Sequence, residues 1–129
     1  MLTQSWHTLA NLFLQQTCPL CDRATPQTLC ANCWHHLQQG TAPRPVQPTT
    51  DALPLLTWGT YEGTLKRAIA ALKYHGQPQL ATPLGQALGQ HWQQFPFKTG
   101  RSPLVVPIPM HSEKQRQRGF NQAELLAKA

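Results

Sequence analysis

Two C-x-x-C pairs, Cys18-Pro19-Leu20-Cys21 and Cys30-Ala31-Asn32-Cys33, hold all four cysteines of this 129-residue chain within sixteen positions. Each pair can turn two thiolates toward one point, and two pairs together supply the tetrahedral four-sulfur set that zinc prefers. The pattern points to a closed structural Zn2+ site on Cys18, Cys21, Cys30 and Cys33, with no position left for a catalytic water. Two disulfides, or four reduced and buried thiols, are the alternatives. The eight residues between the pairs are fewer than a zinc ribbon uses, which implies a compact pair of knuckles. His35 and His36 stand near enough to replace a cysteine, but with four sulfurs available they are expected on the surface of a helix after Cys33. A thioredoxin-type redox role fits poorly, because a catalytic C-x-x-C opens a helix inside a βαβ unit and both pairs here precede any such unit.

A second group with chemical potential lies near the other end. The apolar run Leu104-Val105-Val106-Pro107-Ile108-Pro109 is followed by Lys114, Arg116, Arg118, Gly119 and the Asn121-x-x-Glu124 pattern of a helix start. Such a run reads as a strand buried in a parallel sheet, and Asn-x-x-Glu resembles a capping box. Strand, basic loop and helix N-terminus in that order bring cations and free backbone amides together, the makings of an anion site at the carboxyl edge of a sheet. On physical grounds a solvated basic loop leading into an ordinary capped helix stands level with it.

Other elements must position these two groups. Trp6, Leu9, Ala10, Phe13 and Leu14 fall near helical spacing after Ser5, so residues 5 to 16 are expected to form a short amphipathic helix leading into the cysteine unit. Residues 40 to 54 contain four prolines beyond Gly40 and almost no apolar periodicity, which suits an extended linker. Residues 55 to 61 read as a short strand. Leu65, Ala68, Ile69 and Leu72 follow the helical rule, with Gly76 where a C-cap belongs. Leu80, Leu84, Leu88 and Trp92 repeat every four residues, and Thr82-Pro83 suits the start of that second helix. The organisation expected is a zinc module over 1–39, a linker over 40–54 and an α/β region over 55–129.

The formal charge of +6 is concentrated late: residues 98 to 129 carry six Lys/Arg against two Glu. Four thiolates around one divalent ion contribute −2 and lower the whole chain to +4, so the bulk charge alone is a weak argument for nucleic acid. A basic balance suits phosphate ligands of any size. No run approaches the roughly 18 apolar residues of a membrane span, so membrane insertion is not expected. The N-terminus lacks a basic n-region and a small-residue cleavage site. A reducing, cytoplasmic location is expected, where clustered cysteines bind metal more often than they pair.

Val106-Pro107-Ile108-Pro109, Arg116 and Arg118-Gly119-Phe120-Asn121-Gln122 resemble the signature of the ComF family, competence protein F with its GntX-like relatives. Tyr61-Glu62-Gly63 and Leu72-Lys73-Tyr74-His75-Gly76 look like that family's Tyr-x-Gly and Leu-Lys-Tyr-x-Gly motifs, and they occur in the family's order. The resemblance implies an α/β fold class: a small N-terminal zinc-knuckle module followed by an incomplete type I phosphoribosyltransferase-like, Rossmann-like domain. It makes Lys73, Arg116, Arg118, Gly119 and Asn121 candidate phosphate contacts, although a lysine closing an amphipathic helix also serves the helix dipole. His75 and His111 flank the implied ligand loops and read as exposed loop residues.

The resemblance further implies phosphoribosyl pyrophosphate with Mg2+ as ligand of the complete domain, and a link to uptake of transforming DNA beside a competence helicase or other uptake proteins. The family's Asp-Asp and Thr-Thr-Gly ribose-phosphate loop is absent: Asp22, Asp51, Glu62, Glu113 and Glu124 are the acidic residues, and none is adjacent to another. The expectation is a truncated domain that is inactive by itself, its lone strand at 104–109 exposing apolar surface and unpaired edges. There is no P-loop, no H-E-x-x-H and no serine nucleophile motif. The competing reading is a non-catalytic, zinc-containing adaptor that binds single-stranded DNA or a protein of the uptake machinery, with Trp34, Tyr74, Trp92 and Phe120 available for stacking.

Overall fold

The computed structural model describes residues 16–40, 44–46, 55–94 and 103–129. The expected N-terminal helix and most of the linker lie outside them. The described chain is mixed but mainly helical, with little strand: α1 (Ala31–Gln39), β1 (Arg44–Val46), β2 (Leu55–Thr57), α2 (Gly63–Tyr74), a 3-10 turn (Pro78–Leu80), α3 (Ala81–Gln93), α4 (Ser112–Arg118) and α5 (Gln122–Lys128). The two strands form one antiparallel pair with Pro45 opposite Leu56. β1 falls inside the expected linker, and β2 is the first half of the expected 55–61 strand.

The helices follow the apolar pattern where it is strong. α2 buries Leu65, Ala68, Ala71 and Leu72 along one stripe. It closes at His75, and Gly76 follows with a φ of +63°. α3 starts at Ala81, two residues before Pro83. The proline therefore occupies the first turn, where its missing N–H leaves no helical bond unmade. Leu80 and Leu84 are buried, whereas Leu88 and Trp92 are 39% and 42% exposed, so the four-residue repeat marks a core face only in its first half.

One hydrophobic cluster runs through the cysteines, Leu29, Leu37, α2 and the start of α3, and Leu37, Leu72 and Leu80 are at most 1% exposed. α5 lies against α3 at Gly85. A β-carbon there would meet the carbonyl oxygen of Leu126 and the β-carbon of Ala129, both at 2.6 Å. Only a residue without a side chain allows that approach.

Two expectations fail in the C-terminal part. Leu104 to Pro109 forms no ladder, and no parallel sheet exists among the described residues; Leu104, Val105, Val106 and Ile108 are 65–88% exposed. A strand of that pattern needs neighbours on both edges and cover on both faces, and the described chain supplies neither. The described residues therefore do not confirm a Rossmann-like domain. The polar loop is also a correction, because Ser112 to Arg118 is helical. His111 caps α4 through Nδ1, which accepts the Glu113 N–H at 3.3 Å, and Gly119 ends it in the left-handed region at φ +84°.

Candidate functional site

The cysteine unit is built from two tight turns. In the first, the backbone N–H groups of Cys21 and Asp22 donate to the Cys18 carbonyl at 3.2 and 2.8 Å, and the Cys18 N–H donates to the Arg23 carbonyl at 2.8 Å. Asp22 takes a left-handed φ of +58° to close it. A bridge between Thr17 and Ala24 pins the ends of the turn. The second pair uses a helix start: Cys30 caps α1, and its Sγ accepts the Cys33 N–H at 3.4 Å. A helix brings residues three apart onto one face, so Cys30 and Cys33 point the same way.

These turns gather the four sulfurs within 4.8 Å of one another. Cys21 Sγ lies 3.5 Å from Cys30 Sγ, which ties the two knuckles directly. Sulfurs bound to one tetrahedral ion at about 2.3 Å lie roughly 3.8 Å apart, so the set has the dimensions of a four-thiolate metal site. The four cysteines are unpaired here, the arrangement a metal site requires. Cys18, Cys30 and Cys33 are buried and Cys21 is partly exposed, while His35 and His36 face solvent, away from ligand duty as expected. The Cys33 N–H draws the Cys30 thiol down from 9.0 to about 7, further lowered by the neighbouring sulfurs and opposed by burial. Burial pushes the Cys33 thiol up, and the adjoining cysteines add to that. A divalent cation held by the four sulfurs would stabilise all of them as thiolates.

The basic group divides. Arg118 is half-buried, its guanidinium 5.5 Å from the centre of the Tyr74 ring, and its Nη1 donates to Gln122 Oε1. That contact unites the end of α2, where Lys73 is half-buried, with the end of α4 and the start of α5. Asn121 is buried at 8% exposure; its Oδ1 accepts the Ala123 N–H at 3.0 Å and its Nδ2 donates to the Ile108 carbonyl at 3.3 Å. The Gly119 N–H donates to the Gln115 carbonyl. Lys114 and Arg116 are exposed on α4, and neither has a side-chain partner among the described residues. Glu124 does not close the capping box; it pairs with Lys128 at 2.5 Å. Sequence reasoning missed the Tyr74–Arg118 contact, which no local pattern encodes, and missed the role of Gly85.

A four-cysteine knuckle packed on a helical core, with a basic junction at the far helix ends, is the class these observations define. The chain is 30% identical over 69 residues to the competence protein ComFC of Bacillus subtilis (strain 168), a stretch covering 53% of this chain and 28% of that protein. The similarity supports a relationship to the ComF family and nothing more specific. The matched stretch is well short of the relative's full length. No family model matches the chain. No solved structure matches it. No helix among the described residues is long and apolar enough to cross a membrane.

Proposed function

We propose that this chain is a ComF-like, competence-associated protein in which zinc on Cys18, Cys21, Cys30 and Cys33 staples the knuckles. Lys73, Arg116 and Arg118 contribute the phosphate-binding side of a phosphoribosyltransferase-like site, and Gly119 and Asn121, whose polar groups are engaged within the chain, shape the turn and helix start that carry it. The ligand is phosphoribosyl pyrophosphate with Mg2+, held by a complete domain. Turnover is not assigned to this chain, whose sequence lacks the adjacent acidic pair. The protein works in the reducing cytoplasm beside a competence helicase or another DNA-uptake protein.

The observation that carries this reading is Arg118 set against Tyr74. The ring helps orient the guanidinium in advance, and the N–H groups beyond the one given to Gln122 Oε1 remain for oxygens, a geometry suited to phosphate. The contact also unites the two sequence stretches that resemble the family. Titration calorimetry of the intact protein with phosphoribosyl pyrophosphate and Mg2+ tests it. A saturable heat that disappears in Arg118→Ala supports the reading, and absence of heat overturns it.

A second reading draws on the 68% exposure of Tyr74 beside that cation. An exposed ring next to an arginine is a platform for bases of single-stranded DNA, and the chain then serves as a zinc-containing adaptor. Salt-dependent affinity for single strands, lost in Arg116→Ala with Arg118→Ala, supports it. Salt-independent or absent binding rejects it.

A further inference from the structure

A cleft of about 210 Å3 lies between the cysteine unit and α3, remote in sequence from the basic junction. It is lined by Gln27, Thr28, Leu29 and Trp34 from the cysteine unit and by Thr82, Pro83 and Gln86 from α3. Leu29 is buried and Trp34 is half-buried against the core, so the apolar walls are fixed by packing. Gln27 and Gln86 are exposed, and neither side-chain amide has a partner among the described residues.

No charged residue lines this space, which disfavours an anion and favours a neutral occupant. The volume falls below the roughly 300 Å3 of a drug-sized pocket and suits a single ring system. A primary amide presents a donor and an acceptor side by side, the complement of a nucleobase edge, above all that of adenine. An aromatic wall receives the face of the same ring. We infer that the cleft between Trp34 and Pro83 binds one uncharged nucleobase, stacked on Trp34 and read at its edge by Gln27 and Gln86. The base comes from a free nucleoside or from a single strand.

The test is the Trp34 indole resonance in proton–nitrogen correlation spectra of the metal-loaded protein. It is titrated separately with adenosine, ribose 5-phosphate and a six-residue deoxyadenosine strand. Adenosine is expected to shift Trp34 saturably, and ribose 5-phosphate to leave it unmoved. Gln86→Leu and Gln27→Leu, both at exposed positions, are expected to weaken adenosine binding by about tenfold each. A strand that saturates at lower concentration than adenosine identifies single-stranded nucleic acid as the source, and equal or weaker binding identifies the nucleoside. Three results overturn the inference: a Trp34 signal unmoved by both adenosine and the strand, one that moves with ribose 5-phosphate, or unchanged affinity in both glutamine variants.

Discussion

Arg118 lies over the ring of Tyr74 at 5.5 Å, so the closing turn of α4 is held at the closing turn of α2. Such contacts at exposed sites contribute about 0.5–1 kcal/mol, too little to decide stability but enough to orient a cation. Tyr74→Leu is therefore expected to weaken binding of phosphoribosyl pyrophosphate threefold to fivefold, about the same energy. The thermal midpoint is expected to move little. Parallel calorimetry and thermal unfolding separate the two effects.

The cysteine cluster predicts one divalent metal ion per chain. Cys33→Ser removes a buried ligand and leaves three sulfurs around the ion. Zinc affinity is expected to fall beyond about a hundredfold, more than the loss of an outer partner costs. Because Cys30 and Cys33 also begin α1, chelation is expected to reduce the helical signal. Native mass spectrometry gives the stoichiometry, and circular dichroism during chelation reads the helix.

In the metal-free protein Cys30 is the thiol that ionises early. Its value near 7, against an ordinary 9.0, comes first from the Cys33 N–H held on its sulfur. Alkylation of Cys30 is expected to rise as pH rises through about 7, whereas Cys33, held up by burial, reacts last. A depressed thiol contributes stability that is present above the unfolded value and lost as pH falls through the folded one. The metal-free knuckle should therefore weaken as pH falls through about 7. Peptide-resolved mass spectrometry after a brief alkylation pulse at several pH values measures both the order and the midpoint.

Gly85 sets how closely α5 approaches α3. Alanine in place of a helix-interior glycine normally stabilises by about 1 kcal/mol. Here its methyl meets the Leu126 carbonyl oxygen and the Ala129 β-carbon at 2.6 Å, and a backbone oxygen cannot swing aside as a flexible side chain can. Overpacking of this kind costs about 1–3 kcal/mol, so Gly85→Ala is expected to destabilise on balance. Urea unfolding checks the sign, and faster hydrogen exchange over 122–128 shows that α5 is the element displaced.

The cysteine site was legible because four ligands of one type at knuckle spacing have few alternative explanations. α2 was legible because its apolar residues keep helical spacing through Leu72, and the α5 start because Asn121 caps in the way its side chain favours. The run 104–109 misled because an apolar pattern records a tendency to be buried and says nothing of what does the burying. Val105 and Val106 are neighbours, so each face of that segment needs its own cover, and both remain exposed. α4 escaped because Ser112 to Arg118 buries nothing; good helix formers and two end caps hold it, and no stripe announces it. The meeting of Arg118 with Tyr74 depends on how α2, α4 and α5 pack together, which is a property of the assembled core.

The claim that the Arg118 junction binds the phosphates of phosphoribosyl pyrophosphate is tested most directly by phosphorus NMR of that ligand with Mg2+ and the intact protein. The account predicts phosphate resonances that shift or broaden saturably with the wild-type protein and stay at their free positions with Arg118→Ala. Resonances unmoved by the wild-type protein, or moved equally by both proteins, would contradict it.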